Sequence, residues 1–243
     1  MGIYEFEKIK DRVEDILDKT DDIKDTGYIP IDENFTYSNG YKGWITSIFI
    51  DLRNSTELFR NNSELETAKI IRGFTSEVIQ YLNSCKDAKL REIGIRGDCV
   101  YAIYNTRYQG EIHEVYDKSI EINTYIYLLN KLLTKRGMQN IKVGIGIASS
   151  EILAIKAGRY GSGIHDLVWI GDSVAIASNL SDIGNKGLIN SIVLSTLTYN
   201  NIRDHLKDDK KEKFESFFTY DYHKNCYHGG VIKTEFKKWI DNL

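Results

Sequence analysis

Apolar residues recur along this chain with two periods, near 3.6 and near 2, and their succession lays out an α/β domain. Ile9, Val13, Ile16 and Leu17 form a stripe at helical spacing within the charged residues 3–23. Thr26-Gly27 closes that helix, and the tract to Gly43 reads as loop. Residues 44–50 read as a central strand. Residues 54–83 carry two helices broken near Asn61-Asn62-Ser63, where Ser63 and Glu66 have the spacing of a capping box. Residues 89–96 and 99–104 pair as a hairpin, and residues 111–136 form a long amphipathic helix closed by Gly137. A strand over 141–149, a short strand over 167–170 and a helix over 172–183, stopped by Gly184, follow. Residues 189–194 read as a strand, and Ser195 opens a short helix. Residues 207–213 are a solvated charge run, and residues 214–220 and 231–236 are predicted to form a C-terminal hairpin. The order β-α-β-β-α-β with extra C-terminal strands is the ferredoxin-like pattern. The chain is therefore read as an α/β (α+β) domain over 44–243 behind a helix-and-loop arm over 1–43.

Composition narrows the function. The 243 residues are 42% hydrophobic and 28% charged, ordinary for a globular protein. A net charge of -3 argues against general nucleic-acid binding, and no apolar run reaches membrane-spanning length. Residues 1–10 lack the apolar core of a signal peptide. Cys85, Cys99 and Cys226 have neither metal-ligand spacing nor an even count, which fits a reducing, cytoplasmic setting.

Two aspartates carry the chemistry. Asp51 ends the strand Ile48-Phe49-Ile50 and precedes the polar turn Leu52-Arg53-Asn54-Ser55-Thr56, which opens a helix. Asp98 sits in the Gly97-Asp98 turn of the hairpin. Carboxylates at neighbouring strand ends, beside backbone amides at a helix start, suit hard divalent cations and a phosphate chain. Taken singly, Asp51 reads equally well as a helix cap and Asp98 as an ordinary turn residue.

A third segment, Trp169-Ile170-Gly171-Asp172-Ser173-Val174-Ala175-Ile176-Ala177-Ser178-Asn179-Leu180, decides between these readings. With the two aspartate motifs it resembles, in order, the signature of the class III nucleotidyl cyclases, the family of adenylyl and guanylyl cyclases. The segment Lys142-Val143-Gly144-Ile145-Gly146-Ile147 is similar to a family strand as well. The resemblance implies that Asp51 and Asp98 bind two divalent cations, Mn²⁺ or Mg²⁺, with Leu52 lending a backbone carbonyl. It implies that the backbone of Arg53, Asn54, Ser55 and Thr56 holds the β- and γ-phosphates of a nucleoside triphosphate. It further implies a homodimer with active sites at the interface, the two chains sharing metal ligands and base-reading residues.

Departures from the family pattern bear on the substrate. Gly94 stands where adenylyl cyclases carry a base-reading lysine, and Val168 where they carry its Asp or Thr partner. Ala175 and Asn179 replace the asparagine and arginine that stabilise the transition state. Arg96 is the first substitute cation, ahead of Arg53, Lys156 and Arg159. The triphosphate lysine maps onto residues 224–234, with Tyr227 at its position and Lys224 or His228 as neighbours. These departures resemble the pyrimidine cyclases of the bacterial Pycsar antiphage system. That resemblance implies conversion of CTP or UTP to a cyclic pyrimidine that acts on a separate effector. A purine cyclase and a catalytically dead nucleotide sensor are the alternative readings.

Overall fold

The structure, a computed structural model, describes residues 3–243. Its elements are α1 (Ile3–Lys19), β1 (Ile23–Gly27), β2 (Gly40–Leu52), α2 (Ser55–Asn61), α3 (Glu64–Asn83), β3 (Lys89–Arg96), β4 (Cys99–Asn105), α4 (Gln109–Thr134), β5 (Val143–Gly158), β6 (His165–Ile170), α5 (Asp172–Ile183), β7 (Ile192–Ser195), α6 (Thr196–His205), α7 (Asp208–Ser216), β8 (Thr219–Asp221), β9 (Cys226–Gly229) and α8 (Thr234–Asp241). One sheet runs in the order β3-β4-β2-β5-β7-β9-β8, with β1 beside β2 and β6 beside β5. The central β3-β4-β2-β5 portion is antiparallel and is the ferredoxin-like split β-α-β, as the sequence predicts. Among the described residues, no helix is long and apolar enough to cross a membrane.

Strand alternation gives the sheet two working faces. Ile48, Ile50, Val100, Ala102, Ile145 and Ile147 point to one face, where Phe74, Val78 and Leu82 of α3 and Ile112 and Val115 of α4 complete the main core. The capping box starts α3: the Glu66 amide donates to Ser63 Oγ at 3.2 Å, and Glu66 Oε2 accepts from the Ser63 amide at 3.0 Å. Phe49, Tyr101 and Ala148 point to the opposite face, where Ala177 and Val174 of α5 cover them.

The seat of α5 depends on two glycines. A Cβ on Gly144 would lie 2.1 Å from the Ser181 carbonyl oxygen, and one on Gly146 would lie 2.1 Å from that of Ala177. Only bare backbone lets the helix approach this closely. The alternation Val143-Gly144-Ile145-Gly146-Ile147 thus places large residues on the α3/α4 face and none under α5.

Several elements differ from the sequence prediction. Residues 23–27 form β1, parallel to Gly40–Lys42 of β2, although Ile-Lys-Asp-Thr-Gly lacks apolar alternation. With Ile29, Phe35 and Tyr41 buried in a second cluster, residues 23–43 pack onto the sheet rather than forming a loop. Strand β5 continues past Ser149 to Gly158 because its polar residues are satisfied there: Ser149 Oγ lies 2.8 Å from Thr46 Oγ1 and accepts from Thr198 at 3.2 Å. The charge run is the helix α7, held by the single buried side chain of Phe214 against Tyr116, Tyr199 and Phe218. One anchor gives no periodic stripe to read. The predicted strand over 231–236 is absent. Asn123 of α4 donates to the Val231 carbonyl at 2.9 Å, and Thr124 accepts from the Lys233 amide at 2.9 Å. Those side chains take the groups a ladder would use, and α8 follows. The C-terminal hairpin is instead formed by β8 and β9.

Gly146→Ala forces a methyl into the Ala177 carbonyl and should lower unfolding free energy by at least about 2 kcal/mol. The midpoint of urea unfolding measures this, and an unchanged midpoint would contradict the seating of α5.

Candidate active site

Sheet register assembles the site in rows. Arg96 pairs with Cys99, Cys99 with Asp51 and Asp51 with Gly144, so one row crosses four strands on the α5 face. The adjacent row on that face is Gly94, Tyr101, Phe49 and Gly146. Gly97 and Asp98 form the two-residue turn beside the first row, with Gly97 at φ +63°, a backbone shape glycine adopts freely. Asp98 therefore adjoins Asp51 across a strand end, as the sequence predicts for a carboxylate pair. Arg96 shares the face of Asp51 but stands two strand spacings, roughly 10 Å, away, and its side chain is exposed.

Arg53 lies nearer. Its guanidinium pairs with Asp51 Oδ2 and donates to the Asp182 backbone carbonyl on α5, while the Asp182 carboxylate lies 3.8 Å away. The Arg53 side chain is only 6% exposed, so this pair is largely shielded from solvent. Burial raises the Asp51 carboxyl above its ordinary value; Arg53 pulls it down, and Asp98 and Asp182 push it up. Burial also pushes the Cys99 thiol up to about 12, with Asp51 adding to the rise, which leaves Cys99 an inert neighbour.

Two oxygen-bearing carboxylates that repel each other fit a hard divalent cation. Among the described residues, no group of three or more His, Cys, Asp or Glu side chains converges on one point. A cation held by these two carboxylates would take its remaining ligands from backbone, water or substrate, the mode that Mg²⁺ favours. Leu52 is 4% exposed with its side chain in the main core, so only its carbonyl is available.

The turn after Leu52 departs from the expected phosphate cradle at one point. The Arg53 amide donates to the Lys142 carbonyl at 2.8 Å and is already used. Asn54 takes the left-handed conformation, φ +57°, and makes no side-chain cap. Ser55 and Thr56 follow at the start of α2 with first-turn amides.

A polar bridge next to Gly94 is absent from the sequence reading. Glu92 accepts from the Tyr101 hydroxyl at 2.5 Å and from Trp169 Nε1 at 2.5 Å. It thereby links β3 to β6, two strands not adjacent in the sheet. The Tyr101 ring stacks on Phe49 with centroids 5.2 Å apart and covers Gly94, where a Cβ would meet it at 2.7 Å. Burial and then the Glu92 bond push the Tyr101 hydroxyl up to about 12, so it remains a donor. Period-two spacing places Glu92, Gly94 and Arg96 on one face, and that was the available signal. Val168 neighbours Trp169 on β6 and is 40% exposed.

Other predicted residues lie apart within the single chain. Ala175 and Asn179 sit on the exposed side of α5, near the exposed Ile176. Lys156 pairs with Leu167 on the β5–β6 hairpin and stands over the Tyr37 ring, about twelve residues along β5 from Gly144. Arg159 follows at the tip of that hairpin. Tyr227 stacks on Tyr199 at 3.5 Å, and His228 Nδ1 accepts from the Asn190 amide at 3.1 Å. Lys224 lies in the β8–β9 turn, at the end of the sheet opposite Asp51.

Residues 38–217 match the model of the adenylate and guanylate cyclase catalytic domain. A protein of Treponema porcinum named uridylate cyclase is 43% identical over 239 residues, covering 98% of this chain and 81% of the relative. Another of that name, from Gulbenkiania mobilis, is 31% identical over 250 residues, covering 98% and 96%. Among solved structures, the adenylyl cyclase CyaB from P. aeruginosa superposes with a TM-score of 0.59 at 18% identity, covering 68% of this chain and 83% of that one. A guanylyl cyclase superposes with a TM-score of 0.61 at 16% identity, covering 80% and 95%. The matched segment spans both aspartates, the glycine strand and α5, and the chain belongs to the class III nucleotidyl cyclase family.

Proposed function

We propose that this chain is a pyrimidine nucleotide cyclase that converts UTP to 3′,5′-cyclic UMP and pyrophosphate. The observation that carries the reading is the near full-length similarity to two proteins named uridylate cyclase. In the reaction, the ribose 3′ oxygen bonds to the α-phosphorus as the bond to the β-phosphate oxygen breaks. The 3′ proton passes to solvent, and pyrophosphate carries away the electron pair.

Asp51 and Asp98 hold the divalent cations, with the Leu52 carbonyl as a further ligand. When bound, these cations acidify the 3′-hydroxyl and neutralise charge on the phosphates. The amides of Asn54, Ser55 and Thr56 receive the β- and γ-phosphates, and Arg53 supplies positive charge beside them. Tyr101 and Trp169, fixed by Glu92, wall the base side where Gly94 and Val168 carry no purine-reading group. A wall of fixed hydrogen-bonding groups discriminates between bases more strongly than an apolar slot.

Asn179 and Ala175 on the open side of α5, with the exposed Val168, Ile170 and Ile176, face a second copy of the chain in this reading. The homodimer brings residues of one subunit to the aspartates of the other, with Arg96 and Asn179 as the candidates to contact substrate. The cyclic product serves as a second messenger in antiphage defence, acting on a separate effector.

Incubating the protein with each of UTP, CTP, ATP and GTP plus Mn²⁺, and separating the products, tests the reading. Conversion of UTP should exceed that of the others by at least about tenfold, the low end of what a shaped pocket discriminates. Asp51→Ala and Asp98→Ala should each lower it at least about a hundredfold. Preference for ATP or GTP overturns the proposal. Glu92→Ala leaves two donors without their acceptor, so it should cost about 1–3 kcal/mol of stability and flatten the preference among bases. Glu92→Gln keeps one acceptor and should lose less on both counts; an unchanged base preference in Glu92→Ala would remove the bridge from specificity.

A further inference from the structure

The guanidinium of Arg53 is gripped by two elements and still has donors to spare. Its Nη2 pairs with Asp51 Oδ2 and donates to the Asp51 carbonyl at 3.3 Å. Its Nη1 donates to the Asp182 carbonyl in the last turn of α5, with the Asp182 carboxylate 3.8 Å away. Its Nε is buried and has no partner among the described residues. A guanidinium kept only to pin a loop has its buried donors satisfied, because a bare N–H out of water costs free energy.

The carboxylate that Arg53 holds is also the one a cation needs. Asp51 is a cation ligand in the proposed function, on which this step rests. A divalent cation and a guanidinium sharing one carboxylate repel each other. Asp98 and Asp182 are the other carboxylates acting on Asp51, and Lys186 is the other cation. Three carboxylates against two cations make a nearly neutral set, and a divalent cation reverses its sign. Arg53 is the group that can leave, since Lys186 is exposed and already spent on Asp182 at 2.6 Å.

The backbone gives Arg53 somewhere to go. Its amide donates to the Lys142 carbonyl at 2.8 Å, so leaving Asp51 takes a rotation of the side chain alone. The next residues, Asn54 to Thr56, open α2 with the amides proposed to receive the β- and γ-phosphates. Phosphate oxygens accept the two parallel donors that a guanidinium offers. We propose that Arg53 is an exchangeable counter-ion: it neutralises Asp51 until a divalent cation takes that carboxylate, then turns to the triphosphate. Cation and triphosphate thereby bind cooperatively, because the triphosphate accepts the charge that the cation displaces.

Cation affinity of the full chain tests the exchange apart from turnover and from the identity of the base. Free Mn²⁺ is followed by its paramagnetic resonance signal with no nucleotide present. Arg53→Gln, which removes the charge, should bind Mn²⁺ about tenfold tighter than the parent. Arg53→Lys, which keeps the charge, should stay within about threefold of the parent. Equal or weaker binding by Arg53→Gln overturns the exchange, since removing a mere loop pin would lose affinity. Asp51→Ala should abolish this binding; unchanged binding there overturns the cation site itself, and the exchange with it. Labelling of Arg53 by phenylglyoxal, read by peptide mass spectrometry, needs no substitution. It should be slow in the parent alone, several-fold faster with Mn²⁺, and slow again when inorganic triphosphate joins the Mn²⁺. Labelling that Mn²⁺ does not speed, or that triphosphate does not suppress, also overturns the exchange. Turnover of a base other than uracil would leave both measurements standing.

Discussion

The close seating of α5 on Gly144 and Gly146 is the constraint from which the site follows. Two absent side chains let the helix backbone rest on β5, with carbonyl oxygens at the positions two methyl groups would fill. The sheet face beneath therefore cannot carry large residues in its middle strand, and bulk moves outward to Phe49 and Tyr101. The C-terminal turn of α5 reaches the end of β2, where the Asp182 carbonyl meets the guanidinium of Arg53. The helix that closes the second face thus also fixes the cation nearest Asp51.

The charges around Asp51 form a balanced set. Burial and the neighbouring carboxylates disfavour its ionised form, and Arg53 favours it. A buried guanidinium pairs with a carboxylate at a large desolvation cost, so geometry and extra hydrogen bonds decide its worth. Here the extra bond is the Asp182 carbonyl, and Arg53 Nε has no partner among the described residues. The pair is satisfied enough to hold the loop in place but is not saturated.

The fold was legible wherever burial imposes a period. The β2, β3–β4 and α4 segments, the capping box at Ser63 and the glycine after α4 all follow from local rules that tertiary context did not override. Legibility failed where structure rests on few anchors or on side-chain rescue of backbone. Helix α7 hangs on Phe214; β1 is polar and exposed; Asn123 and Thr124 convert a β-like Val-Ile-Lys-Thr tract into the approach to α8. At the site, motif order marked Asp51 and Asp98, and the sheet register places them side by side. Glu92 was hidden because its meaning lies in Trp169, seventy-seven residues away on a non-adjacent strand. Arg53 was visible as a residue but not as the partner of Asp51, since its guanidinium is also held by the Asp182 carbonyl on α5, far away in sequence.

The two halves of the candidate site are built by different physics. The Asp51 end depends on charge: two carboxylates, one guanidinium and a short turn. Their positions are fixed by strand ends and by α5, so moving them means moving the fold. The Glu92 end depends on packing and neutral donors: Tyr101 on Phe49 and over Gly94, with Glu92 gripping Tyr101 and Trp169. A glycine in β3 is not an empty place, because the Tyr101 ring occupies the space a side chain would need. A side chain at position 94 would therefore have to displace Tyr101 and its bond to Glu92. The Glu92 network thus spans β3, β4 and β6 and stands apart from the carboxylates of Asp51 and Asp98.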